Sequence, residues 1–89
     1  MEAINKVPVS LYKTLSDKLV SIILDSDEKN AVSAEVTKKI IYLWRQDQLA
    51  SPTGIDTLIR AALMVDSISV AKVLDDLGLK ELMLVVRNL

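Results

Sequence analysis

Hydrophobic and polar positions recur along this chain with the period of an α-helix. In residues 11–25, apolar side chains are spaced at i, i+3 and i+4, which places them on one face of a helix. The same spacing predicts helices over 31 or 33 to 49, where Pro52 ends the second helix, and over 53–65, 69–77 and 80–88. No segment alternates with period two for long enough to predict a strand. The pattern therefore predicts an all-α fold, a compact single domain of four to five short helices over residues 1–89, with residues 1–7 loose.

Polar residues and glycine mark the expected helix ends. Ser51 or Thr53 can accept hydrogen bonds from the free amides that start the third helix, and Pro52 loses nothing in its first turn. Gly78 can adopt the left-handed conformation that closes a helix. The fourth helix has three candidate caps, Asp66, Ser67 and Ser69.

Most apolar positions fall on inward stripes. Because the chain has no Phe and only three aromatic residues, we expect a core of Leu, Ile, Val and Ala. The second, third and last helices are expected to bury Val32, Val36, Ile40, Leu43, Trp44, Ile55, Leu58, Ile59, Ala62, Leu63, Leu79, Leu82, Met83, Val85, Val86 and Leu89.

Several apolar residues fall outside these stripes. Leu84 lies among the charged residues of the last helix, away from the stripe of Leu82 and Val86. The others are on the outer faces or edges of the earlier helices: Val20, Leu24, Ile41 and Met64, with Ile41 beside Trp44. Scattered exposed apolar residues are normal in small proteins. The alternative interpretation is a docking patch for another protein, with Leu84, Val20, Leu24, Met64, Ile41 and Trp44 as its candidate residues.

Composition argues against several kinds of function. Eleven basic and twelve acidic residues give a net charge of −1 without a block of like charges, which is unfavourable for non-specific binding of DNA. Because the chain has neither Cys nor His, it has no thiolate or imidazole for catalysis or for structural zinc. We therefore expect no enzyme and no cofactor. With no apolar signal region and only short apolar runs, we expect a cytoplasmic protein that does not enter membranes.

The stretch DSDEKN, residues 25–30, resembles the start of a calcium loop because Asp25 and Asp27 are two positions apart. However, Lys29 and Asn30 occupy the positions of an oxygen ligand and of the turn glycine. Val36 occupies the position of the closing carboxylate. We therefore interpret this stretch as a solvated loop.

The second helix, the SPTG turn and the third helix also allow a helix-turn-helix that binds DNA. Its basic residues would be Lys38, Lys39, Arg45 and Arg60. The recognition helix would carry only Arg60 against Asp56 and Asp66, so direct specific binding of nucleic acid is not expected. This remains the alternative function.

The absence of Cys and His, with abundant Ile, Leu, Val and Lys, is typical of a heat-adapted archaeal protein. The stretch DEKNAVSAEVTKKIIYLWRQDQLASPTGIDTLIRAALMVD, with the closing VLDDLGLKEL, resembles the small all-helical accessory subunit that binds the replicative B-family DNA polymerase of crenarchaea. The resemblance covers most of the chain and rests on size, composition and helix order. It implies a non-catalytic interaction module in a polymerase holoenzyme that acts in DNA replication, where the larger partner holds the active site. The sequence also allows a homo-oligomer.

Overall fold

The computed structural model describes residues 7–25 and 34–88, and every regular element in these residues is helical. A short 3-10 turn, Val9–Leu11, leads into α1. The helices are α1 (Tyr12–Leu24), α2 (Ala34–Arg45), α3 (Pro52–Asp76) and α4 (Lys80–Arg87). The radius of gyration is 11.9 Å, and a compact chain of this length is expected to have about 12 Å. The predicted all-α, compact fold is confirmed.

The long helix α3 is the centre of the fold. It packs against α1 and against α4, while α2 packs against α1. The core between them is aliphatic, as expected: Val7, Leu15, Leu19, Val20, Ile23, Ile40, Leu49, Ile55, Leu58, Ile59, Ala62, Val70, Leu74, Leu82 and Val86 are buried. Burying one such Leu or Ile completely contributes about 1.5 to 3 kcal/mol, so these contacts supply most of the driving force for folding.

A sharp kink divides α3 at Asp66, whose φ of −158° and ψ of 88° are not helical. Its carboxylate caps the second half of the helix. Oδ1 accepts a hydrogen bond from the backbone amide of Ser69 at 3.1 Å, and Oδ2 accepts one from the Ser69 hydroxyl at 2.7 Å. The predicted boundary between a third and a fourth helix is therefore present as a kink, with Asp66 as the cap.

The predicted end of α2 was wrong. The helix ends at Arg45, not at residue 49. Asp47 follows with a φ of 56°, in the left-handed region, and its amide donates a hydrogen bond to the Trp44 carbonyl at 3.0 Å. This left-handed residue ends the helix before the chain reaches Pro52. Pro52 is instead the first residue of α3.

Ser51 caps the start of α3, since its hydroxyl oxygen accepts a hydrogen bond from the Gly54 amide at 3.1 Å. Gly54 allows the preceding loop to approach the helix closely. A Cβ at this position would lie 2.6 Å from the Cα and carbonyl oxygen of Leu49. At the other end of α3, Gly78 has a φ of 75°, so the predicted left-handed closure is confirmed.

Several expectations concern residues outside the described ranges, among them the inward position of Val32. The start of the second helix at 31 or 33, most of the DSDEKN stretch and the last residue, Leu89, belong to this group. So do residues 1–6 of the segment expected to be loose, whereas Val7 is buried.

Candidate interaction surface

Leu84 lies on the exposed side of α4, as predicted. Leu82 and Val86, one turn apart, face the core, whereas Leu84 keeps 55% of its surface accessible to solvent. Helix periodicity alone separates these positions, because Leu84 is about 200° around the axis from Leu82 at about 100° per residue. The last helix therefore buries one narrow stripe and presents an aliphatic side chain on its opposite side.

Leu24 and Met64 are also exposed, as predicted. Together with Leu84 they lie on three different helices, α1, α3 and α4. In the described residues α1 and α4 each pack against α3 and share no extensive contact with each other.

The predicted exposure of Val20 was wrong, since only 1% of its surface is accessible. Val20 lies on α1, which contacts α3 on one side and α2 on another. A helix covered by two neighbours buries a wider arc than a single stripe. The side chain therefore belongs to the core and does not line a docking surface.

Ile41 and Trp44 are half-buried on α2. The Trp44 indole Nε1 donates a hydrogen bond to Asp17 Oδ1 at 2.8 Å, which ties α2 to α1. A partly buried indole normally has such a partner. Trp44 consequently has a structural role that does not depend on any other protein.

Two positions that were predicted to face inward, Val36 and Val85, are exposed. Each lies on a helix with one extensive neighbour among the described elements, α1 for α2 and α3 for α4. A single neighbouring helix covers a narrower arc of the helix surface than the arc over which the sequence places apolar residues. On α2 this leaves Ile40 as the fully buried residue and Tyr42 exposed.

Sequence reasoning missed Ile68, which is 81% exposed, more than any other large apolar residue in the described ranges. Ile68 lies two residues after the kink at Asp66. The available signal was its position between Ser67 and Ser69 in a capping segment, where the polar neighbours mark a solvated helix start.

A groove opens beside this kink. It has a volume of about 560 Å³ and takes residues from both halves of α3 and from the end of α4. We call it the kink groove, and its lining consists of Leu63, Ser67, Ile68, Ala71, Val86 and Arg87. None of the six residues predicted for partner binding lines it.

Arg87 is the charged residue of the kink groove, and its side chain is exposed. Across the described part of the chain, no carboxylate forms an ion pair with its guanidinium. Arg60 differs, because its Nε lies 3.2 Å from Asp56 Oδ2 one turn earlier on α3. The groove thus combines an aliphatic lining with an exposed cation.

Within residues 7–25 and 34–88, no cluster of three or more potential metal ligands is present. None of the helices in these ranges combines the length and apolar character needed to cross a bilayer. Comparisons with protein-family models, curated proteins and solved structures gave no match.

Proposed function

We propose that this chain is a non-catalytic protein-interaction module, an accessory subunit of a larger complex. The observation that carries the proposal is the set of aliphatic side chains exposed on the outer faces of helices: Leu24, Met64, Ile68 and Leu84. Covering such a side chain completely in a complex would contribute about 1.5 to 3 kcal/mol before the costs of association.

The best candidate for the complex is a replicative DNA polymerase of the B family. Two features support this choice. The sequence resembles the small helical subunit of the crenarchaeal holoenzyme, and its composition lacks the His and Cys side chains that most often serve catalysis. In this assignment the larger partner carries the chemistry.

A helix-turn-helix protein is the weaker alternative. In such a motif the two helices pack together and the second enters the major groove. Here α2 packs against α1 and has no extensive contact with α3 among the described residues. Arg60, the basic residue expected at the DNA, is already paired with Asp56.

Reconstitution tests the proposal. The purified chain would be mixed with a crenarchaeal B-family polymerase and analysed by size-exclusion chromatography and by calorimetry. We expect co-elution and a dissociation constant in the micromolar range or tighter. Failure to associate would reject the polymerase as partner, and failure of the tagged protein to retain any protein from its native cells would reject the interaction module.

Binding to duplex DNA distinguishes the alternative. Affinity that rests on phosphate contacts falls steeply with salt, by about 10³ to 10⁵ between about 50 and 200 mM for roughly six to ten contacts. We expect negligible binding even at low salt. Micromolar affinity that is lost in the double variant Lys38→Ala, Arg60→Ala would favour the helix-turn-helix function instead.

A further inference from the structure

We propose that the kink groove receives an aliphatic side chain from one amphipathic helix of a partner protein, and that a carboxylate on the same helix pairs with Arg87. This inference rests on the proposed function, because it specifies the chemistry of the partner segment.

The shape and lining of the groove fit an aliphatic anchor. Its volume of about 560 Å³ lies within the range of about 300 to 1,000 Å³ that is typical of ligand pockets. Leu63, Ala71 and Val86 provide an apolar lining. Ile68 stands at the rim with most of its surface exposed, so a docked side chain would cover it.

Exposed apolar side chains are present on both sides of the kink in α3. Met64 precedes the kink and Ile68 follows it, and both side chains are exposed. An amphipathic partner helix presents apolar residues at i, i+3 and i+4 and therefore offers more than one aliphatic contact to this surface.

Charge complementarity determines the polar part of the partner. Arg87 has a planar guanidinium that binds carboxylates in a two-pronged geometry, and its side chain is exposed at the groove. A glutamate or aspartate one turn from the aliphatic anchor would neutralise this cation. A basic partner segment would be repelled by it.

Selection from a display library of single helical peptides, randomised at i, i+3, i+4 and i+7, tests the inference and does not require an identified partner. With the wild-type protein as bait, we expect enrichment of an aliphatic residue together with an acidic residue one turn away. With Arg87→Glu as bait, we expect the acidic position to change to Lys or Arg. Selected acidic peptides should bind Arg87→Glu about tenfold or more weakly than wild type.

Matched controls keep this test specific. Lys72→Glu makes the same charge change at an exposed position of α3 outside the groove lining, and it should select the wild-type motif. Ile68→Asp should abolish the enrichment of any peptide motif. Because Ile68 and Arg87 are both exposed, circular dichroism should show that all variants are folded. A library without enrichment, or a motif without an acidic residue that survives in Arg87→Glu, would overturn the inference.

Three further outcomes distinguish a second copy of the chain from another protein as the occupant, and the groove proposal from the proposed function. A dimer of the wild-type protein that dissociates in Ile68→Asp would identify a second copy as the occupant and overturn the inference. Undiminished binding of Ile68→Asp and Arg87→Glu to a native partner would also overturn it and leave the proposed function intact. Selection of the acidic motif without any native partner would support the groove and count against the accessory role.

Discussion

Two leucines on the last helix, Leu82 and Leu84, allow stability and binding to be separated by the same substitution. Leu82 is 2% exposed and Leu84 is 55% exposed. Replacing Leu82 with Asp removes a burial contribution of about 1.5 to 3 kcal/mol and places a carboxylate in an aliphatic core. Since a domain of this size is stable by about 5 to 13 kcal/mol, we expect Leu82→Asp to be largely unfolded near physiological temperature.

Leu84 should respond differently. We expect Leu84→Ser to change the free energy of unfolding by no more than about 0.5 kcal/mol, as is usual for exposed positions. Leu84→Asp adds a negative charge near the carboxyl end of α4, where the helix dipole makes it unfavourable by about 0.3 to 1 kcal/mol. Comparison of the Ser and Asp variants therefore isolates the charge effect from the loss of the aliphatic group.

Thermal unfolding by circular dichroism and calorimetric titration with the partner measure both quantities for each variant. If Leu84 docks, Leu84→Ser should weaken binding by about 1 to 3 kcal/mol, while the fold is kept. Unfolding of Leu84→Ser to the extent seen for Leu82→Asp would refute the assignment of the two faces. Unchanged stability together with unchanged partner affinity would refute the role of Leu84 in docking.

Three further perturbations test the fold that holds these surfaces. Gly54→Ala should lower the free energy of unfolding by at least about 1 kcal/mol in urea titrations, because its Cβ would lie 2.6 Å from the backbone of Leu49; an unchanged midpoint would contradict this contact. A double-mutant cycle of Trp44→Phe and Asp17→Ala, followed by circular dichroism, should give a coupling of about 0.5 to 1.5 kcal/mol for the 2.8 Å hydrogen bond, and additive effects would show that the bond contributes nothing. Asp66→Ala should lower the melting temperature at neutral pH, because alanine has no carboxylate to accept the two capping hydrogen bonds from Ser69. Those hydrogen bonds hold the pKa of Asp66 below its ordinary value of 3.8. The difference in melting temperature between Asp66→Ala and wild type should therefore persist down to about that pH and shrink as the pH falls further. A difference in melting temperature that grows in acid would contradict this capping role.

The helical elements could be predicted from the sequence because their apolar spacing is regular and their caps are local. Ser51, Asp66 and Gly78 act within three or four residues of the chain, so their roles follow from residue type and position. The end of α2 could not be predicted in this way. It depends on Asp47 in a left-handed conformation, which non-glycine residues adopt uncommonly.

Which apolar side chains are exposed could be predicted only in part, because exposure depends on the number of neighbouring helices. A helical wheel assumes one covered face. This assumption holds for Leu82 and Leu84 on α4, but it fails for Val20, where α1 is covered from two sides. The kink groove could not be predicted, since its lining comes from segments that only the folded chain brings together.

The same residue that divides α3 also creates the surface beside it. A straight helix through residue 66 would continue the spacing of the first half, and Ile68 would then fall one turn after Met64 on an uninterrupted outer face. The non-helical backbone of Asp66 changes the direction of the chain at this point, and its capping bonds to Ser69 fix the new direction. The groove opens at the bend, between the two halves of α3 and the end of α4. Its shape therefore depends on a local capping interaction at the solvent-exposed surface. We expect Asp66→Ala to alter the peptide motif that the groove selects and to lower stability as well. Gly54→Ala, as the control, should lower stability and leave the selected motif unchanged.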